Sequence, residues 1–594
     1  MSPVRRSSGS DPTVPGDYIR LPGSERRPTS TATVLGSADP DEVVRVSIAL
    51  RRRPDGLPVP DFSYFRAPPN GRPRLSEEDF AQRYGADPAD IEQVVAFAEA
   101  NGLTVLARNA ARRTVVVSGT VAQMSAAFAV RLQRYEHSVF RARGREPERQ
   151  VYRGRDGFIY IPRELEGIVV GVFGLDNRNI TKRGFAGDPP NTTTLTVPEV
   201  AVLYNFPITS AANQNIAVFS EGGYLLSDLQ EYYDHLPASY RSQYAMPTVT
   251  PIAVDASNLA PDVETTQDIC IAFSAGPGAN ISVYFTTFDQ VGWYDLIHRV
   301  VHPDPGDAVC SVLTTSFYVA NGDDAPTLLA EGVAQSWIDA VHSALEDAAI
   351  QNVTFCVCSG DYGVDMTAFG GAPSDGKQHV TYPASDPYAL ACGGTTVGNV
   401  NGTSFDEYVW NDTANINGFV FNGATGGGVS NMFPLPSYQE GANVPLCLNG
   451  GQPGRGVPDV AFNASWNSGY YPIYCAGAAN FGYPNPYNGN GTSAAAPLCA
   501  GLVALVNASL GYDVGYLNPA LYDLGTTVCR DVNPYATSPP SGPVNNSPAN
   551  GDNVPGYPAG PGWDACTGWG SINGTALVDG LMLWLFAEVM PSIH

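Results

Sequence analysis

Beyond residue 190 the chain alternates short apolar runs with longer helical stretches, and this alternation restricts its fold more than any other feature. NIAVFSEGG, NISVYFTTF, AVCSVLTTSF and VTFCVCSGDYG are apolar and rich in β-branched and aromatic residues. Between them lie DLQEYYDHL, VETTQDICIAFSAG and GVAQSWIDAVHSALEDAAIQ, which read as helices. Apolar strands separated by helices imply a parallel sheet covered on both faces. Residues 191–594 are therefore expected to form an α/β domain whose active site lies beyond the carboxyl ends of the strands.

Upstream the pattern changes. VVRVSIALRRR, DPADIEQVVAFAEANG, LTVLARN, RTVVVSGT, VAQMSAAFAV and RLQRYEHSVFRARG predict strand-helix-strand-strand-helix-strand. That order gives a small α+β unit of ferredoxin-like type, placed at 43–176. Residues 1–42 are rich in Ser, Pro, Arg and Gly and are expected to be disordered. Residues 177–190, with Lys182-Arg183 and GFAGDPPNTTT, read as a linker.

Charge is divided as sharply as pattern. Residues 1–190 hold 28 Lys and Arg against 23 Asp and Glu, whereas residues 191–594 hold five against 35. The five are Arg241, Arg299, Lys377, Arg455 and Arg530. At neutral pH such an excess of carboxylates repels itself, and at about pH 3–4 most of that charge is lost. The larger domain is thus suited to an acidic medium. It has no basic patch to neutralise phosphates, which argues against nucleic acid as a partner.

All ten cysteines follow residue 269, without zinc-ligand spacing. Disulfides are plausible if the chain is exported, but their pairing is not readable. The N-terminus, MSPVRRSSGSDPTVPGDYIR, has no apolar signal core, and no run approaches 18 apolar residues, so no membrane span is expected. ALVDGLMLWLFAEVM reads as a closing helix.

Four residues carry candidate chemistry. NGNGTSAAAPLCAGLVALVNASL sets Ser493 after a Gly-rich turn at the start of an apolar helix, where free backbone N–H groups favour a developing oxyanion. On Gly-Thr-Ser alone a helix cap is the better reading, but GTSxxxP followed by an apolar helix is more specific. A serine nucleophile ordinarily needs a histidine. The six histidines of this domain, His235, His298, His302, His342, His379 and His594, all read as surface or packing residues. PDVETTQDICIAFSAG offers another base. Glu264 and Asp268 are four residues apart on one helix face, and close carboxyls share a proton and raise one pKa. Such a base functions in acid, where imidazole would be protonated. Alone, the pair would read as a solvated helix face. SGDYG places Asp361 at a strand's carboxyl end, as a turn residue or as a neutral acid donating to an oxyanion.

Together these strings resemble the sedolisin family of serine-carboxyl peptidases, especially its kumamolisin-like members, over most of the chain. ETTQD, SGDYG and NGTSAAAP carry the resemblance, with VTYPASDPYALACGGTT, GATGGGVSNMFPLPSYQ and RGVPDVAFNAS in support. It implies a subtilisin-like catalytic domain at 191–594. It implies Ser493 as nucleophile, Glu264 as acid/base, Asp268 as its support and Asp361 in the oxyanion hole. It further implies that the N-terminal unit is an inhibitory prodomain, removed by autoproteolysis in acid at a cut in the linker. Family members often carry an outer Glu, matched by Glu221, and a Trp where this chain has Phe317. Tyr362 stands where relatives often have Ser.

The resemblance also implies one structural calcium ion. Its ligands would be the side chains of Asp531 and Asp564 and the carbonyls of Val532, Gly560 and Gly562. Two carboxylates with carbonyls of a Gly-rich turn suit a hard cation; by themselves they read equally well as Asp in two turns. The expectation is an acid-acting endopeptidase of protein and peptide substrates. It is expected to be a monomer, acting outside the cell or in an acidic compartment. A tripeptidyl-peptidase-type exopeptidase and an inactive peptide-binding relative are the alternatives.

Overall fold

The computed structural model describes residues 14–66, 71–139, 148–183, 194–220, 222–255, 260–366, 374–416, 419–481, 483–533, 543–547 and 554–589. Its N-terminal domain opens with β1 (Tyr18–Arg20), β2 (Thr33–Ser37) and β3 (Val43–Leu50). Helices α1 (Glu77–Tyr84) and α2 (Pro88–Ala100) follow, then β4 (Thr104–Asn109), β5 (Thr114–Thr120) and α3 (Val121–Ala127). The domain continues with β6 (Gln133–Val139), β7 (Glu148–Gly154), β8 (Tyr160–Pro162) and β9 (Val169–Phe173). The Asp87 side chain caps α2, accepting from Ala89 N at 2.8 Å.

The sheet runs β4-β5-β3-β9 with every neighbour antiparallel. This is the ferredoxin-like order expected from the sequence. The last sheet strand is β9, because β6 and β7 form a separate three-stranded sheet with β2.

Residues 14–42 are ordered, not disordered as their composition suggested. β1 pairs with β8, and β2 with β6. Leu21, Ser24 and Arg26 are buried. Arg26 bonds Gln290 at 2.8 Å, and Ser336 N donates to Gly23 O at 3.0 Å. Partners far along the chain order this segment, so local composition could not reveal it. Residues 1–13 lie outside the described residues.

The larger domain is built on an eight-stranded sheet. Its strands are β11 (Asn215–Ser220), β12 (Val249–Ala253), β13 (Asn280–Phe285), β14 (Val312–Thr315), β16 (Thr354–Cys358), β17 (Leu390–Asn401), β18 (Ser404–Val409) and β19 (Val460–Asn463). The order is β12-β13-β11-β14-β16-β17-β18, with β19 also pairing β17. All pairs are parallel except β17 with β18. Two short strands, β10 (Lys182–Arg183) and β15 (Phe317–Tyr318), pair with each other outside it.

Helices cover both faces. α4 (Val263–Ala275) and α7 (Thr492–Leu510) share one core, while α5 (Gln290–Val301) and α6 (Gln335–Ile350) share the other. The closing helix α8 spans Gly574–Val589 and packs on α7. α7 is long and apolar enough to cross a membrane, which the sequence reading did not anticipate, but most of it is buried as a core helix. The ten cysteines are all buried free thiols, so the disulfides considered from the sequence are not formed.

The N-terminal domain lies on α5 and α6, and the charge division explains how. Arg45 meets Asp295 at 2.6 Å, Arg52 meets Asp347 at 2.8 Å and Glu346 at 3.0 Å, and Arg112 meets Asp304 at 2.5 Å. In each pair the base comes from the small domain and the acid from the large one.

Candidate active site

α4 settles the ambiguity of its own sequence. All thirteen residues are buried, so Glu264 and Asp268 do not form a solvated helix face. Asp262 caps the helix, accepting from Glu264 N at 2.9 Å and Thr265 N at 3.3 Å. Gln267, between the two acids, ties α4 to the loop before the serine. Its Nε2 donates to Asn490 O at 3.2 Å, and Asn490 N donates back to Oε1 at 3.1 Å.

Ser493 lies in the first turn of α7. Gly491, at φ +80°, reverses the chain into the helix in a conformation that residues with a Cβ rarely adopt. β16 delivers Asp361 through Ser359 and Gly360, at the carboxyl end of the sheet, where the sequence placed it. Thr492 N and Oγ1 donate to Asp361 Oδ1 at 2.7 and 2.6 Å. Thr492 Oγ1 in turn accepts from Gly360 N at 3.1 Å. The residue before Ser493 thus fastens Asp361 beside the start of α7.

Glu264, Asp268, Asp361 and Ser493 are each 0 % exposed. Burial first, then the charge of Asp268, pushes the Glu264 carboxyl well above its ordinary range, while the nearby Ser493 hydroxyl favours its ionised form. Asp268 is raised as well, by burial first and by Asp262, against the nearby Ser316 hydroxyl, which favours its ionised form. Both Glu264 oxygens, Asp268 Oδ2 and Ser493 Oγ are buried without a well-formed hydrogen bond. A substrate carbonyl and a mobile proton are what such a set lacks.

No described histidine bonds to this group. His342 pairs with Asp386 at 2.9 Å, His379 with Asp375 at 3.0 Å and Asp324 at 3.3 Å, and His302 with Glu77 at 3.1 Å. His594 and Glu221 lie outside the described residues. Phe317 is fully buried, its ring 5.8 Å from Phe219 and 6.1 Å from Phe288, so an apolar cluster occupies the place of an indole donor. Sequence reasoning missed Ser316, whose Oγ lies 2.7 Å from Asp268 Oδ1. Thr492 stands in the Gly-Thr-Ser string, where its residue type suggests only a helix cap.

Asp531 and Asp564 are brought together by the Gly560–Gly562 turn. Gly562 N donates to Asp531 Oδ2 and Gly560 N to Asp564 Oδ2, both at 2.9 Å. Asp531 Oδ1 is buried without a partner. Burial raises the pKa of both carboxyls, that of Asp564 to about 7. Two partly desolvated carboxyls and an orphaned oxygen fit a bound hard cation.

Comparison with known proteins bears on the family. Residues 30–178 match the family model described as Pro-kumamolisin, activation domain. The chain is 35% identical to kumamolisin of Bacillus sp. (strain MN-32) over 86% of its own length and 89% of that protein. It is 30% identical to tripeptidyl-peptidase sed5 of Aspergillus fumigatus, over 86% of this chain and 90% of that one. Among solved structures it is similar to Pseudomonas sedolisin, a serine-carboxyl proteinase complexed with two molecules of pseudo-iodotyrostatin. That match has a TM-score of 0.51 and 27% identity, covering 67% of this chain and 99% of that one.

A subtilisin-like parallel sheet preceded by an activation domain defines a serine-type peptidase made with a prodomain. More particularly, the chain belongs to the sedolisin family of serine-carboxyl peptidases.

Proposed function

We propose that this peptidase is an acid-acting endopeptidase, made as a zymogen and working through an acyl-enzyme on Ser493. The observation that carries this is the burial of Glu264, Asp268, Asp361 and Ser493 at one end of the sheet, with no described histidine bonded to them. Glu264 takes the Ser493 hydroxyl proton as Oγ bonds to the substrate carbonyl carbon. The tetrahedral oxygen gains negative charge and accepts a hydrogen bond from neutral Asp361. Two hydrogen bonds from Thr492 to Oδ1 hold the Asp361 carboxyl in place. Collapse breaks the C–N bond, and Glu264 passes its proton to the departing amine. Water then attacks the ester, giving one proton to Glu264, which returns it to Ser493 as the acid leaves. Asp268 supports Glu264 throughout.

The linker favours endopeptidase over tripeptidyl-peptidase action. Lys182 and Arg183 pair with Tyr318 and Phe317, immediately beyond Ser316. A continuous chain, not a terminus, lies along that edge. An exopeptidase would need a barrier there to hold a free amine. The same pairing supports the prodomain as an intramolecular inhibitor, with the maturation cut after Arg183 in residues 184–190. Asp531, Asp564 and the carbonyls of Val532, Gly560 and Gly562 would hold one calcium ion, fixing the two loops as a structural cation. Chemistry of this kind belongs outside the cell or in an acidic compartment.

Two experiments test this. The Ser493→Ala precursor should remain uncleaved after acidification; maturation of that variant alone would remove Ser493 from the mechanism. Matured enzyme should cut peptides whose N-terminus is acetylated, at internal bonds. Tripeptide release from free N-termini only, with acetylated peptides untouched, would establish the exopeptidase reading instead.

A further inference from the structure

Ser316 stands between β14 and β15 and is fully buried. Its Oγ lies 2.7 Å from Asp268 Oδ1 and 2.8 Å from the carbonyl oxygen of Ser493. A hydroxyl has one hydrogen to donate and two lone pairs to accept with. Both neighbours offer oxygens, so one hydrogen cannot fully serve both.

Pro497 decides which is served. In an α-helix the carbonyl of residue i accepts from the N–H of residue i+4. For Ser493 that residue is Pro497, inside α7, which has no N–H. The nucleophile's own carbonyl therefore lacks its regular helical donor at a buried position, where an unpaired carbonyl is costly. Ser316 stands where that donor is needed. With its hydrogen committed to Ser493, the contact to Asp268 requires a hydrogen from Asp268.

We propose that Ser316 is a positioning residue of the reaction, donating to the Ser493 carbonyl and accepting from Asp268 Oδ1–H. The proton shared by the acid pair then rests on Asp268, and Glu264 is the ionised member that faces Ser493. This rests on the assignment of Ser493 and Glu264 above and adds where the pair's proton resides. During acylation Glu264 gains the serine proton while Asp268 keeps its own, so the balance of the first step is unchanged. Burial first, and Asp262 with it, press Asp268 toward its neutral form, whereas a hydrogen bond donated by Ser316 would press it the other way. With Ser316 donating to an ionised Asp268 instead, the Ser493 carbonyl would face a lone pair. The string GTSxxxP thus has a second use: its proline frees the carbonyl through which the nucleophile is anchored to the acid pair.

Ser316→Ala and Ser316→Thr, each made in the full chain and matured in acid, test this through the pH profile of kcat/KM. Ser316→Ala should lose about ten-fold or more in kcat with KM little changed. Its alkaline limb should move to lower pH, because neutral Asp268 has lost its acceptor. Ser316→Thr keeps the hydroxyl and should restore both. An alkaline limb that stays in place, or moves to higher pH, overturns the assignment. If Ser316→Ala does not mature, infrared difference spectra of the precursor with its wild-type Asp268 against the Asp268→Asn precursor, both kept uncleaved by Ser493→Ala, at about pH 5, read the proton directly. A protonated-carboxyl band present in wild type and missing in the variant supports the proposal; a difference confined to carboxylate bands overturns it. That spectrum needs no turnover, so its failure is distinct from maturation of a Ser493→Ala precursor, which would overturn the peptidase assignment itself.

Discussion

Glu264 and Asp268 are fully buried, and this separates them from the many acid pairs found on exposed helix faces. Their spacing was legible because a helix places residues four apart on one face. Their burial was not legible, since it depends on α7 and the Asn490 loop closing over α4. Ser316 had no sequence signature at all: a serine after a strand is ordinary until Asp268 and Ser493 are brought to it. Asp361 lends itself to a direct test. Asp361→Ala removes the proposed oxyanion donor and leaves Thr492 without its acceptor. Its kcat should fall about 10²–10³-fold with KM nearly unchanged. Asp361→Asn keeps an N–H donor and should recover part of the loss. Steady-state kinetics of the two matured variants check this, and equal losses would argue that charge and packing, not hydrogen-bond donation, are what matters at this position.

At the level of elements, the helices and strands flanking the site were readable because they are long, periodic and apolar. VETTQDICIAFSAG became α4, Val263–Ala275, and the strand before SGDYG became β16, Thr354–Cys358. Residues 14–42 escaped because their order comes from Gln290, Ser336 and strands β6 and β8, all remote in sequence. The two loops proposed to hold calcium belong to the same class of long-range structure. Asp531 and Asp564 are separated by 33 positions and are joined through the Gly560–Gly562 turn. A cation there would stabilise the folded state by mass action and leave the unfolded chain unaffected. Removing it with a chelator at about pH 5 should lower the melting temperature. Asp531→Ala should start from the lower value and show no further drop. Scanning calorimetry with and without added calcium distinguishes the two, and a wild-type transition indifferent to both chelator and calcium would count against the site.

For the whole molecule, the charge division becomes an interface whose strength depends on acidity. Arg113 of the prodomain meets Asp347 of α6 at 2.5 Å, beside Arg52. His298 of α5 and His302, which follows that helix, lie near that carboxylate, and Glu77 and Arg112 of the prodomain contact His302. Burial would raise the pKa of Asp347, but Arg113 and Arg52 outweigh it and hold the carboxyl well below its ordinary range. Burial first, then Arg113, holds His298 well below 6.5 and favours its neutral form in the precursor. When the prodomain departs, both arginines leave and α5 is uncovered, and each group returns toward its ordinary pKa. Above about pH 6.5 His298 is neutral whether or not the prodomain is bound and does not affect the docking. As pH falls through that value the uncovered histidine takes a proton that the docked one refuses, and docking weakens. Near pH 4 Asp347 adds a second loss of the same sign, since the docked carboxylate resists a proton that the uncovered one accepts. His298→Gln removes the first of these two steps while keeping a polar side chain. Its precursor should therefore need more acid to mature, with the midpoint of processing against pH shifted downward by a few tenths of a unit or more. Gel densitometry of precursor and mature bands across about pH 3–7 reads the midpoint. A variant that matures over the same range as wild type would leave the carboxylates alone as the acid sensor of this interface.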